Sequence, residues 1–213
     1  MKKITVEAKT VAKIYNRKAI FQNVSFRIEE GTALAITGKN GSGKSTLIKI
    51  VCGVLSSTKG SVHLSIDGNE ILDREFYPHI GLVSPYLNMY EEFSAEENLS
   101  FIKKIRGLGS WAEEKGKSLL DQFGIYEHRK KEVRNYSSGM KQRLKYCAAL
   151  LHEPPLLILD EPTSNLDEFG VESVRTIMKE QKTKGILLFG TNEKEDLSFA
   201  DSIFNLDQLK NGK

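Results

Sequence analysis

The sequence predicts an α/β fold: a mostly parallel sheet with helices on both faces, joined to an N-terminal antiparallel β subdomain and a helical subdomain. Three observations carry that expectation. A glycine-rich turn at 38–46 sits between an apolar strand pattern and an apolar helix pattern. Two wholly apolar runs, 156–159 and 186–189, flank an amphipathic stretch at 171–178, as expected of buried parallel strands joined by a helix. Residues 94–151 carry helical spacing. With 213 residues and 39% apolar content, the chain is long enough for one sizeable core with a satellite lobe.

Each element follows from its own pattern. Ile4, Val6 and Ala8 alternate with polar residues, which reads as an edge strand and not as the apolar centre of a secretory signal. Val24, Phe26 and Ile28 share one face before the turn at Glu30-Gly31, and Leu34 and Ile36 belong to a buried strand. After the glycine-rich turn, Leu47, Ile48, Ile50 and Val51 recur at helical spacing until Gly53 stops the helix. Residues 61–66 alternate and turn at Asp67-Gly68, and 80–83 read as a short strand before Pro85. Leu99, Ile102 and Ile105 mark one helix of the middle stretch, and Leu144, Cys147, Ala148 and Leu151 another, so a helical lobe is expected over about 86–152. Asn211-Gly212-Lys213 reads as a polar tail.

Composition excludes several classes of function. Lysine and arginine (31) against aspartate and glutamate (28) leave +3, too weak a field for nucleic acid to be expected as a partner. The apolar runs fall far short of the roughly 20 residues that span a bilayer. Cys52 and Cys147 lie in apolar helical patterns without disulfide spacing, which predicts a reducing compartment.

Residues 38–46, GKNGSGKST, have the spacing of a P-loop, with Gly38, Gly43, Lys44 and Ser45 at the required places. Glycines let backbone N–H groups turn inward around phosphate oxygens, and the helix beginning at Lys44 adds its positive end. Gly38, Asn40, Gly41, Ser42, Gly43, Lys44, Ser45 and Thr46 are therefore expected to hold a nucleotide. Lys44 should reach its β- and γ-phosphates, and Ser45 should ligate Mg²⁺. This implies a P-loop NTPase core but does not separate kinases, GTPases and motor-like ATPases.

The apolar run 156–159 ends in Asp160-Glu161, at the strand end where a parallel sheet opens its ligand-binding edge. Asp160 is expected in the Mg²⁺ shell. Glu161, one residue on, is placed to polarise an attacking water as general base.

Residues 135–144 read NYSSGMKQRL, and together with the two motifs above this resembles the signature segment of ABC-type ATPases, in the manner of a small exporter-like ATP-binding subunit. Ser137, Gly139, Gln142 and Arg143 match, while Ser138 and Met140 depart. The resemblance covers essentially the whole chain. It implies that Ser137 and Gly139 touch a γ-phosphate held by a second subunit, although a plain helix N-cap would use the same residues. Tyr15 matches the aromatic that stacks on adenine, or is an ordinary loop tyrosine. Residues 164–167, SNLD, look like the D-loop with Asp167 as its acid, a place that also suits an N-cap.

Two positions depart from the family's pattern. Pro85 stands where the resemblance expects a glutamine, and Asn192 follows Thr191 where it expects a histidine. An asparagine amide hydrogen-bonds phosphate but neither becomes cationic nor shuttles a proton. None of His63, His79, His128 and His152 falls at that place.

The resemblance implies one domain over 1–213, an ATPase using ATP and Mg²⁺. It would pair with a second ATP-binding subunit, alike or different, and drive a transmembrane permease from the cytoplasmic face of the membrane. Glu161, Lys44 and Asn192 would be its catalytic residues, and residues 84–93 would lie against the permease. A second reading, motivated by Pro85 and Asn192, is a clamp or regulatory subunit that binds ATP with little turnover. Relatives that act on ribosomes or DNA usually carry two such domains, long coiled coils or zinc sites, which this composition does not suggest.

Overall fold

The computed structural model describes residues 3–210, so the tail Asn211-Gly212-Lys213 lies outside the described residues. Strands β1 (Ile4–Tyr15), β2 (Lys18–Glu29), β4 (Lys59–Ile66) and β5 (Asn69–Ile71) form an antiparallel sheet in the order β2-β1-β4-β5. The second sheet is parallel throughout: β6 (Ile80–Val83), β7 (Leu156–Asp160), β8 (Ile186–Gly190), β3 (Ala33–Thr37) and β9 (Ser202–Asn205), in that order. The helices are α1 (Lys44–Val51), α2 (Ala95–Ile105), α3 (Trp111–Gln122), α4 (Ser138–Leu150) and α5 (Glu168–Lys184).

The fully apolar runs divide their side chains between two cores. Leu157, Leu159, Leu187 and Phe189 join α3, α4 and α5 on one face of the parallel sheet. Leu156, Ile158, Ile186 and Leu188 join α1 and the antiparallel sheet on the other. Because both faces are covered, every position along the strand must be apolar, and the period of two vanishes from the sequence.

Two details differ from the sequence reading. β1 is an interior strand, paired with β2 on one side and β4 on the other. The alternation of Ile4, Val6 and Ala8 reports that one face is buried, which holds for edge and interior strands alike. β9 gave no signal because it is short and half exposed, yet it pairs in parallel with β3 and closes that end of the sheet. The Asn16-Arg17 and Asp67-Gly68 turns both place two residues at positive φ, the type I′ geometry that suits the twist of a hairpin.

The lobe helices are tied to what surrounds them by polar contacts. Ser94 caps α2 through a reciprocal box with Glu97, its hydroxyl accepting from Glu97 N at 3.2 Å and the Glu97 carboxylate accepting from Ser94 N at 2.7 Å. Asn98 grips the preceding segment, accepting from Tyr90 N at 2.9 Å and donating to Tyr90 O at 3.0 Å. Tyr146 of α4 is fully buried, stacks on Phe123 and donates its hydroxyl to Pro162 O at 2.6 Å. That bond fixes the chain just beyond the Asp160-Glu161 pair. Tyr146→Phe should cost about 1–3 kcal/mol by orphaning a buried carbonyl, read as a lowered urea midpoint.

Candidate active site

The three loops that carry the expected chemistry leave the same edge of the parallel sheet, after β3, β7 and β8, which are neighbours in strand order. In the first loop Gly38, Gly41 and Gly43 have φ of 145°, 78° and 110°, in the left-handed region that favours glycine. A Cβ at Gly43 would also lie 2.6 Å from Ile20 and 2.8 Å from Phe21. The loop therefore packs directly on β2, next to the hairpin end that carries Tyr15. Tyr15 is half exposed, with the Lys13 ammonium 4.9 Å from its ring centre.

Lys44 folds back into this loop. Its ammonium is almost fully buried, donates to Gly38 O at 3.0 Å and stands 3.5 Å from the Glu161 carboxylate. Ser45 and Thr46 continue α1, whose first-turn N–H groups have no acceptor inside the helix. The Ser42 hydroxyl is buried without a hydrogen-bond partner. A loop with orphan donors and a folded-in cation fits an oxyanion ligand.

β7 delivers Asp160 at 1% exposure. Burial pushes its carboxyl pKa up, while hydrogen bonding from Ser45, the charge of Lys44 and hydrogen bonding from Ser84 pull the other way. Its Oδ1 is buried with no hydrogen-bond partner. Glu161 follows at φ 54°, a left-handed conformation that costs a non-glycine residue about 1–2 kcal/mol. Its N–H is anchored on Gly190 O at 2.8 Å, and this kink turns its carboxylate toward Lys44. Burial raises the Glu161 pKa, opposed chiefly by Lys44.

The third loop brings Asn192. Its side-chain N–H donates to Asn40 Oδ1 at 2.8 Å, and its backbone helps to hold the Glu161 carboxyl pKa down against burial. Asn40, Glu161, Ser164, Asn192 and Glu193 line a polar cavity of about 620 Å³. Of the expected residues, the structure thus gathers Gly38, Asn40, Ser42, Lys44, Ser45, Asp160, Glu161 and Asn192 by direct contacts. Gly41 sits at the open tip of the loop, where an added Cβ meets nothing.

Other expected residues sit apart and have structural partners. Ser137 caps α4, accepting from Met140 N at 3.2 Å. Gly139 lies against Asn165, where a Cβ would come to 3.4 Å from its carbonyl oxygen. Asp167 caps α5, accepting from Gly170 N at 2.9 Å, and pairs with Arg143. Pro85 is exposed after β6. The hydroxyl of Ser84, one residue earlier, reaches Asp160, and sequence reasoning missed it because only the pairing of β6 with β7 brings the two together.

The histidines and cysteines lie elsewhere. His63 pairs with Glu70. His152 hydrogen-bonds Ile80 O at 3.1 Å, and burial drives its pKa down to about 4. The Cys52 thiol, shielded from water, is pushed up to about 12.

Comparison with known proteins identifies this arrangement. The sequence model of the family described as ABC transporter matches residues 21–164. The chain belongs to the ABC transporter family. Among ABC relatives it is 38% identical over 188 residues to the uncharacterized ABC transporter ATP-binding protein YxlF of Bacillus subtilis (strain 168), covering 88% of this chain and 62% of that one. It is 34% identical over 183 residues to the lantibiotic transport ATP-binding protein SrtF of Streptococcus pyogenes, covering 86% and 77%. A solved structure of an ATP binding subunit of an ABC transporter superposes with a TM-score of 0.84 at 30% identity, over 94% of this chain and 85% of that one. The chain therefore spans less than two thirds of the length of YxlF. Among the described residues no helix is long and apolar enough to cross a membrane.

The raised Glu161 pKa has a pH consequence. The folded chain holds the Glu161 proton more tightly than the unfolded chain does. The ionised carboxylate therefore weakens the fold as pH rises through the folded pKa, and the neutral acid at lower pH does not. Without nucleotide, the native chain should lose stability relative to Glu161→Gln as pH rises through the folded carboxylate pKa, on top of a pH-independent cost in the variant from taking a partner away from the buried Lys44. Thermal melts across pH check the sign.

Proposed function

We propose that the chain binds and hydrolyses ATP as one of two ABC subunits that close around the nucleotide and drive a separate transmembrane permease. The observation that carries this reading is the meeting of Glu161 and Asn192 on one polar cavity at adjacent strand ends, with the buried Lys44 ammonium 3.5 Å from the Glu161 carboxylate, beside a phosphate loop with orphan donors. Residues 1–213 act as a single ABC-type domain in this reading, with about 86–152 as its helical lobe.

Tyr15 stacks on adenine, and the loop from Gly38 to Thr46, including Asn40, Gly41, Ser42 and Gly43, wraps the phosphates with main-chain N–H groups. Lys44 exchanges Gly38 O for β- and γ-phosphate oxygens. That movement loosens its hold on the Glu161 carboxylate, which then accepts a proton from the attacking water. Asn192 donates an amide N–H to the γ-phosphate. Ser45 and Asp160 suit Mg²⁺, since a buried carboxylate oxygen without a partner is a ready place for a cation's shell. When bound, the ion neutralises charge on the β- and γ-phosphates. Among the described residues no group of three or more His, Cys, Asp or Glu could hold a metal alone.

Ser137, Gly139 and Asp167 face the second subunit, where the first turn of α4 offers N–H groups to that subunit's nucleotide. The permease docks in a groove of about 550 Å³ lined by Tyr77, Leu87, Met89, Tyr90, Phe101 and Ile105. Tyr77, Leu87, Tyr90 and Ile105 are exposed, an apolar patch that calls for a partner. Docking there makes the chain peripheral on the cytoplasmic face of the membrane.

Asn192 and Pro85 favour the second reading, a clamp that binds ATP with little turnover. Phosphate release separates the two. Steady release that falls at least about 100-fold in Lys44→Ala supports the enzyme, and tight ATP binding with no release supports the clamp. Glu161→Gln with excess ATP should elute as a dimer in gel filtration, and a monomer there counts against the paired site. Asn192→Ala should lower kcat by about 100-fold with ATP affinity largely kept. The native rate should also lack the imidazole-type inflection near pH 6–7.

A further inference from the structure

β6 and β7 run parallel in a register that sets Val83 beside Leu159. Ser84 follows directly on the end of β6 and Asp160 on Leu159, which brings Ser84 beside Asp160. Both are buried, at 5% and 1% exposure, and Ser84 Oγ lies 3.5 Å from Asp160 Oδ2. The same hydroxyl oxygen accepts from the Tyr86 amide at 3.4 Å, which leaves its one proton for the carboxylate. On the other side of Asp160, Oδ1 is buried with no hydrogen-bond partner.

Alongside Ser45, which also acts on this carboxylate, the Ser84 hydroxyl helps decide which oxygen stays open, and outer partners of this kind tune a metal ligand's orientation. Pro85 contributes nothing to this task, having neither an N–H group nor a polar side chain. We infer that Ser84 is a positioning residue that turns the Asp160 carboxylate so that its free oxygen meets the divalent cation accompanying the nucleotide. The inference rests on the nucleotide site proposed above.

The test is a Mn²⁺ titration, followed by electron paramagnetic resonance, of the protein loaded with a non-hydrolysable ATP analogue. Ser84→Ala should weaken Mn²⁺ binding by about 10-fold. Ser84→Thr, which keeps the hydroxyl, should stay within about 2-fold of the native chain. Ser84→Cys, with similar bulk and a weaker donor, should fall between them. Analogue affinity in the absence of metal and the melting temperature report separately on the nucleotide loop and the fold. Native Mn²⁺ affinity in Ser84→Ala overturns the inference, as does a Ser84→Thr variant as weak as Ser84→Ala, since volume and not the hydroxyl would then decide. In either case the nucleotide site stands. A native chain that binds the analogue with no Mn²⁺ removes the site reading and the role of Ser84 together.

Discussion

The buried ammonium of Lys44 is the constraint around which the functional edge is organised. A lone cation at 6% exposure would be costly, and here a backbone carbonyl on one side and a carboxylate on the other receive it. The Glu161 carboxylate reaches it only because residue 161 takes a left-handed backbone conformation, held by a hydrogen bond to the end of β8. The strain at Glu161 and the inward fold of Lys44 are thus two sides of one arrangement. Each position is unfavourable alone, and each offsets the other. Such a pair is poised for exchange, because a phosphate oxygen offers the ammonium a stronger partner than a carbonyl does.

Parallel register does the rest of the assembly. β3, β7 and β8 lie side by side, so the residues that follow them arrive at one edge without any further device. This is why so much of the site was legible in sequence. A glycine spacing after an apolar strand and an Asp-Glu pair at the end of another are local patterns, and the parallel sheet converts sequence position at a strand end into spatial proximity. What stayed hidden were pairings set by strand neighbours. Ser84 meets Asp160 only because β6 lies against β7, and Asn192 meets Asn40 only because β8 lies against β3. The position of β1 inside its sheet was lost for the same reason, since alternation reports burial of a face and says nothing about neighbours, whereas β9 is too short and exposed to leave a pattern at all.

The lobe is joined to this edge through polar links of unequal strength. Tyr146 and Pro162 form a buried hydrogen bond, and Arg143 of α4 pairs with Asp167 at the start of α5. The segment 84–93, though largely exposed, is held by the Asn98 side chain, by backbone hydrogen bonds from Val133 N to Phe93 O and from Arg134 N to Glu91 O, by the Tyr90, Phe93 and Phe101 rings, by the Lys141–Glu91 ion pair and by Lys49 over the Tyr86 ring. Exposed ion pairs contribute little to stability. The segment begins at Ser84, whose hydroxyl lies 3.5 Å from the Asp160 carboxylate. On the proposed reading, an occupant of the groove meets that segment directly, since Leu87, Met89 and Tyr90 line it.

Asparagine at 192 changes the electrostatics of such an edge in a definite direction. One cation, Lys44, already stands against two carboxylates, Asp160 and Glu161, whose pKa values burial raises. A histidine at 192 would supply a second cation when protonated, whereas asparagine supplies a dipole with a fixed donor, oriented by Asn40. The charge that builds on the γ-phosphate must then be met by Lys44, the divalent ion and donors from outside the chain. The first turn of α4, where the Ser138 and Gly139 N–H groups have no acceptor inside the helix and no acidic residue stands, suits such an outside donor in a second copy on the proposed reading. On the proposed reading, asparagine in place of a cation leaves more of that charge to be met by a second copy.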